Sequence, residues 1–219
     1  MKILVFGDVH GNLIALEELF RLEKGNYDRF VCHGDIVNYG PWTNECIEFL
    51  SYQENGIFLK GNHEEYYLEK YYPGSNEVAK SFFEFCYPQF NNKLLPVISK
   101  FEDSLSIGDF NIKHSIDGLY IFEDTNIEYL DFENNSIVGH SHQQFHRIID
   151  DKNLYNTGSL GQNRALLDVA NYLIIDTDTN NVELKSFIFD IQKVISKMEE
   201  LKYPFICLNY YKSKNTVNK

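Results

Sequence analysis

At 219 residues the chain is long enough to bury a sizeable core, and it falls where a single α/β domain is the default. Hydrophobic residues make up 43% and aromatics 15%, a composition that excludes intrinsic disorder. The formal net charge of -12 argues against a broad binding surface for nucleic acid or anionic lipid, because such a surface repels both.

In chain order, the opening "MKILVFGDVHGNL" reads as a buried strand, Ile3 to Phe6, followed within four residues by Asp8 and His10, groups that are costly to bury unpaired. Next comes "NLIALEELFRL", with Leu13, Leu16, Leu19 and Phe20 on one helical face and Glu17 and Glu18 on the other. "DRFVCHGDI" repeats the strand-into-Gly-Asp pattern, "TNECIEFL" predicts a second helix capped by Thr43, and "GIFLKGNHE" a third strand running into Asn62 and His63. Ligands gather at the carboxyl ends of strands in open parallel sheets, and three strands here end in polar clusters. Residues 76 to 90 read as helical, and the aromatics of the longer stretch Glu64 to Phe90 as core rather than as a wall for a nucleobase. From about Glu102 the short runs "EDSLSI", "FNIKHS", "SIVGH", "FHRII", "NLYNTGS", "NYLIID" and "NVELKSFIF" predict a second sheet, mostly hairpin-connected. A final helix, "DIQKVISKMEEL", precedes a polar tail, giving one domain over 1–210 and a flexible tail over 211–219. No apolar run approaches the ~20 residues that span a bilayer. The start of the chain has no basic, leucine-rich leader, and Cys32, Cys46, Cys86 and Cys207 have neither CxxC nor zinc-finger spacing. The expected location is cytoplasmic and reducing, with no membrane partner.

The polar residues at the strand ends are Asp8, His10, Asp35, Asn62, His63, His114, His140 and His142. Oxygen and imidazole donors without a thiolate suit Mn, Fe, Co, Ni or Zn. Residues two apart on a strand share a face, so Asp8 and His10 are expected to converge, as are His140 and His142 if their segment is extended. Each piece alone is more often a turn or a satisfied core histidine. The ordered set of five, each at a strand end, is what points to a metal site.

"GDVHGN", "GDIVNYG", "KGNHE", the isolated His114 and "GHSH" resemble the five blocks of the calcineurin-like metallophosphoesterase superfamily, roughly D-x-H, G-D, G-N-H-[DE], H and G-H-x-H. "GDIVNYGP" and "NTGSLGQNR" are similar to the small bacterial and archaeal phosphodiesterases of the YfcE and diadenosine-tetraphosphatase types. The resemblance implies a four-layer αββα sandwich, two mixed sheets flanked by helices. It also implies two divalent ions per chain, manganese first, with Fe, Ni, Co or Zn as alternatives. One ion would be held by Asp8, His10, Asp35 and His142, the other by Asp35, Asn62, His114 and His140, with Asp35 giving an oxygen to each. The implied reaction is in-line hydrolysis of a small phosphate ester, most simply a phosphodiester or nucleotide, by a metal-bound hydroxide, with His63 as the acid for the leaving oxygen. Asn12 and Arg164 are expected to touch substrate, and a homodimer is left open.

Three departures qualify that picture. Asn38 and Tyr39 stand where the serine/threonine phosphatases of the superfamily carry an Asp and an Arg, which disfavours a phosphoprotein substrate. His33 replaces an aliphatic residue and is expected to be buried and inert; Thr157 and Asn163 replace prolines. The retromer-subunit scaffolds of the same superfamily have lost part of the metal site, whereas here every ligand position is filled.

Overall fold

The computed structural model describes residues 1–217. Ten strands form two five-stranded sheets. The first has the order β10-β9-β1-β2-β3, with β1 Lys2–Phe6, β2 Arg29–Cys32, β3 Gly56–Phe58, β9 Val169–Asp176 and β10 Asn181–Ile188. β1, β2 and β3 are parallel, linked by α1 Leu13–Leu22 and α2 Thr43–Ser51; β9 pairs antiparallel with β1, and β10 with β9. The second sheet has the order β4-β5-β6-β8-β7, with β4 Ser104–Ile107, β5 Phe110–Lys113, β6 Asn135–Val138, β7 Gln144–Ile149 and β8 Lys152–Thr157. Its outer pairs are antiparallel, whereas β5, β6 and β8 run parallel. The expected two mixed sheets are therefore present, but the late strands do not all share one sheet. β9 and β10 join the first, because β1 has an open edge that a buried central strand must fill.

The alternation along β1 accounts for the layering. Ile3 and Val5 face the second sheet, packing with Val31, Phe110, Ile112, Ile137, Tyr155, Leu173 and Ile175. Leu4 and Phe6 face the helices, where α1, α2 and the later helices α3 Asn62–Glu69, α4 Glu77–Cys86, α5 Leu95–Ile98, α6 Ile191–Glu200 and α7 Phe205–Ser213 contribute to one core. The outer face of the second sheet is covered by residues 116–132, which place Ile121 and Ile127 on Val138, Phe145 and Leu154 and form no helix.

Two local expectations need correction. Thr43 is the first residue of α2 and not its cap; its hydroxyl accepts from the Asn38 N–H at 3.2 Å. The tail does not begin at Tyr211. That residue is 1% exposed, in α7, packed edge-on against Phe82, and the chain beyond stays docked through Val217 N–H, which donates to the Asp168 carboxylate. Pro204 marks the break between α6 and α7, and the polar residues of α7 hid its buried Cys207 and Tyr211. The last two residues of the expected tail lie outside the described residues. No described helix is long and apolar enough to cross a membrane.

Candidate metal centre

The loops leaving β1 and β2 run side by side beyond the sheet, tied by backbone bonds from Asp8 N–H to Gly34 O and from His10 N–H to Asp35 O, both 2.9 Å. The strand geometry expected to aim Asp8 and His10 is absent. Both are left-handed, at φ 49° and 48°, as are Asp35 at 53°, His140 at 67° and His142 at 61°. These are sparsely populated conformations for non-glycine residues, held only where the surroundings over-determine them, and they cluster at functional sites. Convergence thus comes from sharp kinks at the donor residues themselves. Gly34, at φ 108°, lies against the Gly61 backbone, where a Cβ would collide.

The donors gather in two groups. In the first, His142 Nε2 is 3.1 Å from Asp8 Oδ1 and 3.2 Å from His10 Nε2, and His10 Nε2 is 3.7 Å from Asp35 Oδ2. In the second, His114 Nε2 is 3.0 Å from Asn62 Oδ1, 3.1 Å from His140 Nδ1 and 3.4 Å from Asp35 Oδ2. One oxygen, Asp35 Oδ2, faces both groups, while Oδ1 accepts from the His63 N–H at 2.9 Å.

A divalent ion fits this arrangement on the chemistry of the donors. His10 Nδ1 reaches the Val37 carbonyl at 3.3 Å and His142 Nδ1 the Gln162 carbonyl at 2.7 Å. A carbonyl only accepts, so both protons sit on Nδ1 and both Nε2 atoms present lone pairs. Two lone pairs and a carboxylate oxygen facing one another repel unless a cation lies among them. Donors about 2.1 Å from a tetrahedral ion stand about 3.4 Å apart, close to the spacings seen. Burial first, then the carboxylates of Glu64 and Asp8, push Asp35 well above the usual carboxylate range. Burial, reinforced by other imidazoles, drives His10 and His114 well down and His140 to about 4, so the rings are neutral, which is their ligand form.

His63 borders the first group, its Nε2 4.0 Å from Asp35 Oδ2. Its Nδ1 meets Asn38 Nδ2 at 3.0 Å. Asn38 thus occupies the partner position that the sequence marked only by the absence of an Asp. Burial, then His142 and His140, lower His63 to about 3. Glu64 was legible only as part of its motif. Its carboxylate accepts from the N–H groups of Asp35, Ile36, Val37 and Gly61 at 2.7 to 3.2 Å, fixing the turn that carries Asp35.

Asn12 is not available to a substrate. It is fully buried, its Oδ1 caps α1 by accepting from Ala15 N–H, and its Nδ2 donates to the Gly161 carbonyl. Arg164 is exposed at the mouth, its guanidinium 5.2 Å from the centre of the Tyr120 ring, which in turn lies 3.9 Å from the His140 ring. Beside the second group opens a cleft of about 480 Å³ lined by Lys60, Tyr66, Ser115 and Tyr120. Tyr67, Phe82, Phe83 and Phe90 of the aromatic segment are core, as expected, whereas Tyr66 reaches this cleft. A larger hollow of about 700 Å³ lies against α6 and α7, lined by none of these donors.

The family model described as calcineurin-like phosphoesterase matches residues 1–154. Protein MJ0912 of Methanocaldococcus jannaschii is 28% identical over 92% of this chain and 93% of its own length. Among solved structures, a metallophosphoesterase from Sphaerobacter thermophilus superposes with a TM-score of 0.80 at 24% identity, covering 97% of this chain and 98% of its own. Protein PH1004 of Pyrococcus horikoshii gives 0.77 at 14% identity, covering 96% and 97%.

Proposed function

Since the chain belongs to the calcineurin-like phosphoesterase family, we propose that this phosphoesterase uses two divalent ions to hydrolyse small phosphodiesters or nucleotide-type esters. The observation that carries the reading is the pair of donor groups sharing Asp35 Oδ2. When bound, such ions lower the pKa of a shared water and neutralise charge on the phosphoryl oxygens. Manganese heads the candidates, with Fe, Co, Ni and Zn suited to the same imidazole, carboxylate and amide donors.

The chain's own residues supply the rest. Asn38 Nδ2 donating to His63 Nδ1 keeps the His63 proton on Nε2, the nitrogen that faces the site. Burial keeps the resting ring uncharged, with its pKa near 3. The negative charge of an incoming phosphate favours a second proton on Nδ1, which Asn38 accepts, once its amide turns over, through an Oδ1 otherwise unpartnered among the described residues. The imidazolium then gives its Nε2 proton to the leaving oxygen and returns to the neutral ring. Arg164 places a cation at the mouth of an otherwise acidic chain. The cleft suits a small molecule, and the Tyr66 ring on its wall suits a flat part of the substrate such as a nucleobase. A cytoplasmic, reducing location belongs to the same reading, supported by four free and buried cysteines.

The test is metal analysis together with a panel of phosphomonoesters, phosphodiesters, cyclic nucleotides and dinucleoside polyphosphates, assayed with Mn, Ni, Co, Mg and Zn. Two ions per chain and hydrolysis of diesters or nucleotides are expected, and Asp35→Ala should remove most of the metal, because its shared oxygen serves both sites. Full occupancy in Asp35→Ala would sink the dinuclear reading.

A further inference from the structure

His33 is fully buried beneath the donor groups, directly before Gly34. Its ring fills a slot left open by two glycines, Gly7 and Gly139, each preceding a ligand residue; a Cβ on either would collide with the ring. Such a slot marks a built position, and its hydrogen bonds assign the ring's protons. His33 Nε2 lies 2.7 Å from Thr157 Oγ1, and the Thr157 hydroxyl donates to the Gly158 carbonyl at 3.0 Å. With that proton committed, Thr157 accepts from His33, so Nε2 carries the hydrogen and Nδ1 the lone pair. His33 Nδ1 has no hydrogen-bond partner among the described residues.

His114 presents the complementary need. Its Nε2 faces Asn62, His140 and Asp35, so as a ligand it binds through Nε2 and carries its proton on Nδ1. That Nδ1 is buried and equally without a partner among the described residues. Metal-binding imidazoles almost always donate their second N–H to an acceptor, which fixes the ring. The two rings stand 5.9 Å apart between centroids, and a nitrogen of each lies within 4.8 Å of the other and of an Asp8 carboxylate oxygen. Two groups bonded to one water are roughly 4.5 Å apart.

We propose that His33 is a positioning residue for the second donor group: its Nδ1 lone pair receives, through one water also bonded to Asp8, the Nδ1 proton of His114. The water accepts from His114 Nδ1–H and gives one proton to His33 Nδ1 and the other to the Asp8 carboxylate. Three polar partners are what a buried water ordinarily has. The chain Gly158, Thr157, His33, water, His114 thereby holds His114 with Nε2 turned to the ion.

The inference rests on the dinuclear reading, and the test separates the two. Metal-free wild-type protein and three variants are titrated with Co(II), following both the d–d absorption and the heat of binding. In His33→Gln the amide nitrogen stands near the old Nε2 and can still meet Thr157, but the Nδ1 acceptor is gone. In His33→Asn an amide oxygen stands near the old Nδ1 and can accept. Loss of such a partner typically weakens metal affinity by about 10–100-fold. His33→Gln and His33→Phe should therefore weaken the second ion by that factor and leave the first nearly unchanged, while His33→Asn restores most of the affinity. Equal affinities in Gln and Asn, or wild-type binding in all three, would overturn the role of His33 alone. A third ion in wild type, lost in His33→Phe, would overturn it in favour of direct ligation. Failure of the wild type to bind a second ion would overturn both readings. Far-UV circular dichroism of each variant identifies any that fail to fold, and the Gln and Asn pair retains the comparison if Phe does.

Discussion

A proton donor matters in proportion to how badly the leaving oxygen needs a proton. Nitrophenolate leaves nearly unaided, whereas a ribose or alkyl oxygen does not. His63→Ala should therefore keep its metal and lose about 10²–10⁴-fold in kcat on an alkyl or nucleoside ester, and markedly less on a nitrophenyl ester. Asn38→Ala should shift activity in the same pattern by a smaller factor, since it frees the His63 ring without removing it. Steady-state kinetics on both esters, with metal counted in each variant, checks this; equal losses on both would mean that His63 stabilises phosphoryl charge instead. At this scale the gathering of the donors was legible, because oxygen and imidazole groups placed at the ends of neighbouring strands come together at one edge of the fold. The way they converge was not. A two-residue spacing suggested strand alternation, whereas Asp8, His10, His140 and His142 are aimed by left-handed kinks. Nor does a sequence reveal that Asn12 spends both ends of its amide on Ala15 and Gly161.

Among the elements, α1 is fastened to the far strands of the first sheet by one carboxylate. Glu23, the C-terminal cap of α1, is 2% exposed and accepts from Tyr172 on β9, Lys185 on β10 and Asn26. Burial works to raise its pKa, but these donors outweigh it, and Glu23 sits below the ordinary value. A lowered folded pKa gives stability that is complete above the unfolded value, about 4.3, and lost as pH falls through the folded one. Glu23→Gln should cost roughly 1.5–3 kcal/mol at neutral pH and show a flatter loss of stability below about pH 4.3 than the parent. Urea unfolding at several pH values measures both, and parallel acid limbs would refute it. The strands concerned were recognisable from their β-branched and aromatic runs, and β9 and β10 do form a hairpin. Which sheet the hairpin joins was not readable locally, because that depends on the free edge of β1, about 170 residues away in sequence.

Across the whole molecule, the donors come from segments that follow strands of both sheets: Asp8, His10 and Asp35 in loops and Asn62 at the start of α3 follow strands of the first, and His114, His140 and His142 follow strands of the second. An ion bound among them links the two sheets at one end of their common core. A ligand that binds only the folded chain adds about 2.7 kcal/mol at 100 times its Kd. For a chain of this size that corresponds to a fall in Tm of roughly 5–10 °C on chelation. Calorimetry with and without chelator tests this, and an unchanged Tm would mean that the sheets are not coupled through metal.

The pairing of β1 with β9 also governs the order of events during synthesis. Val5 meets Leu173 and Ile3 meets Ile175, so a strand made early must wait until nearly the whole chain has left the ribosome. Until then one edge of β1 has no neighbour, the state in which strands recruit other chains, and such distant pairings form slowly. A chain cut after Leu154 retains all seven donor residues but lacks β9, as well as the Gln162 carbonyl that orients His142. It should emerge as aggregate by size-exclusion chromatography and fail to hold metal, so that the last third of the polypeptide acts as the step that commits the earlier part to its native pairing.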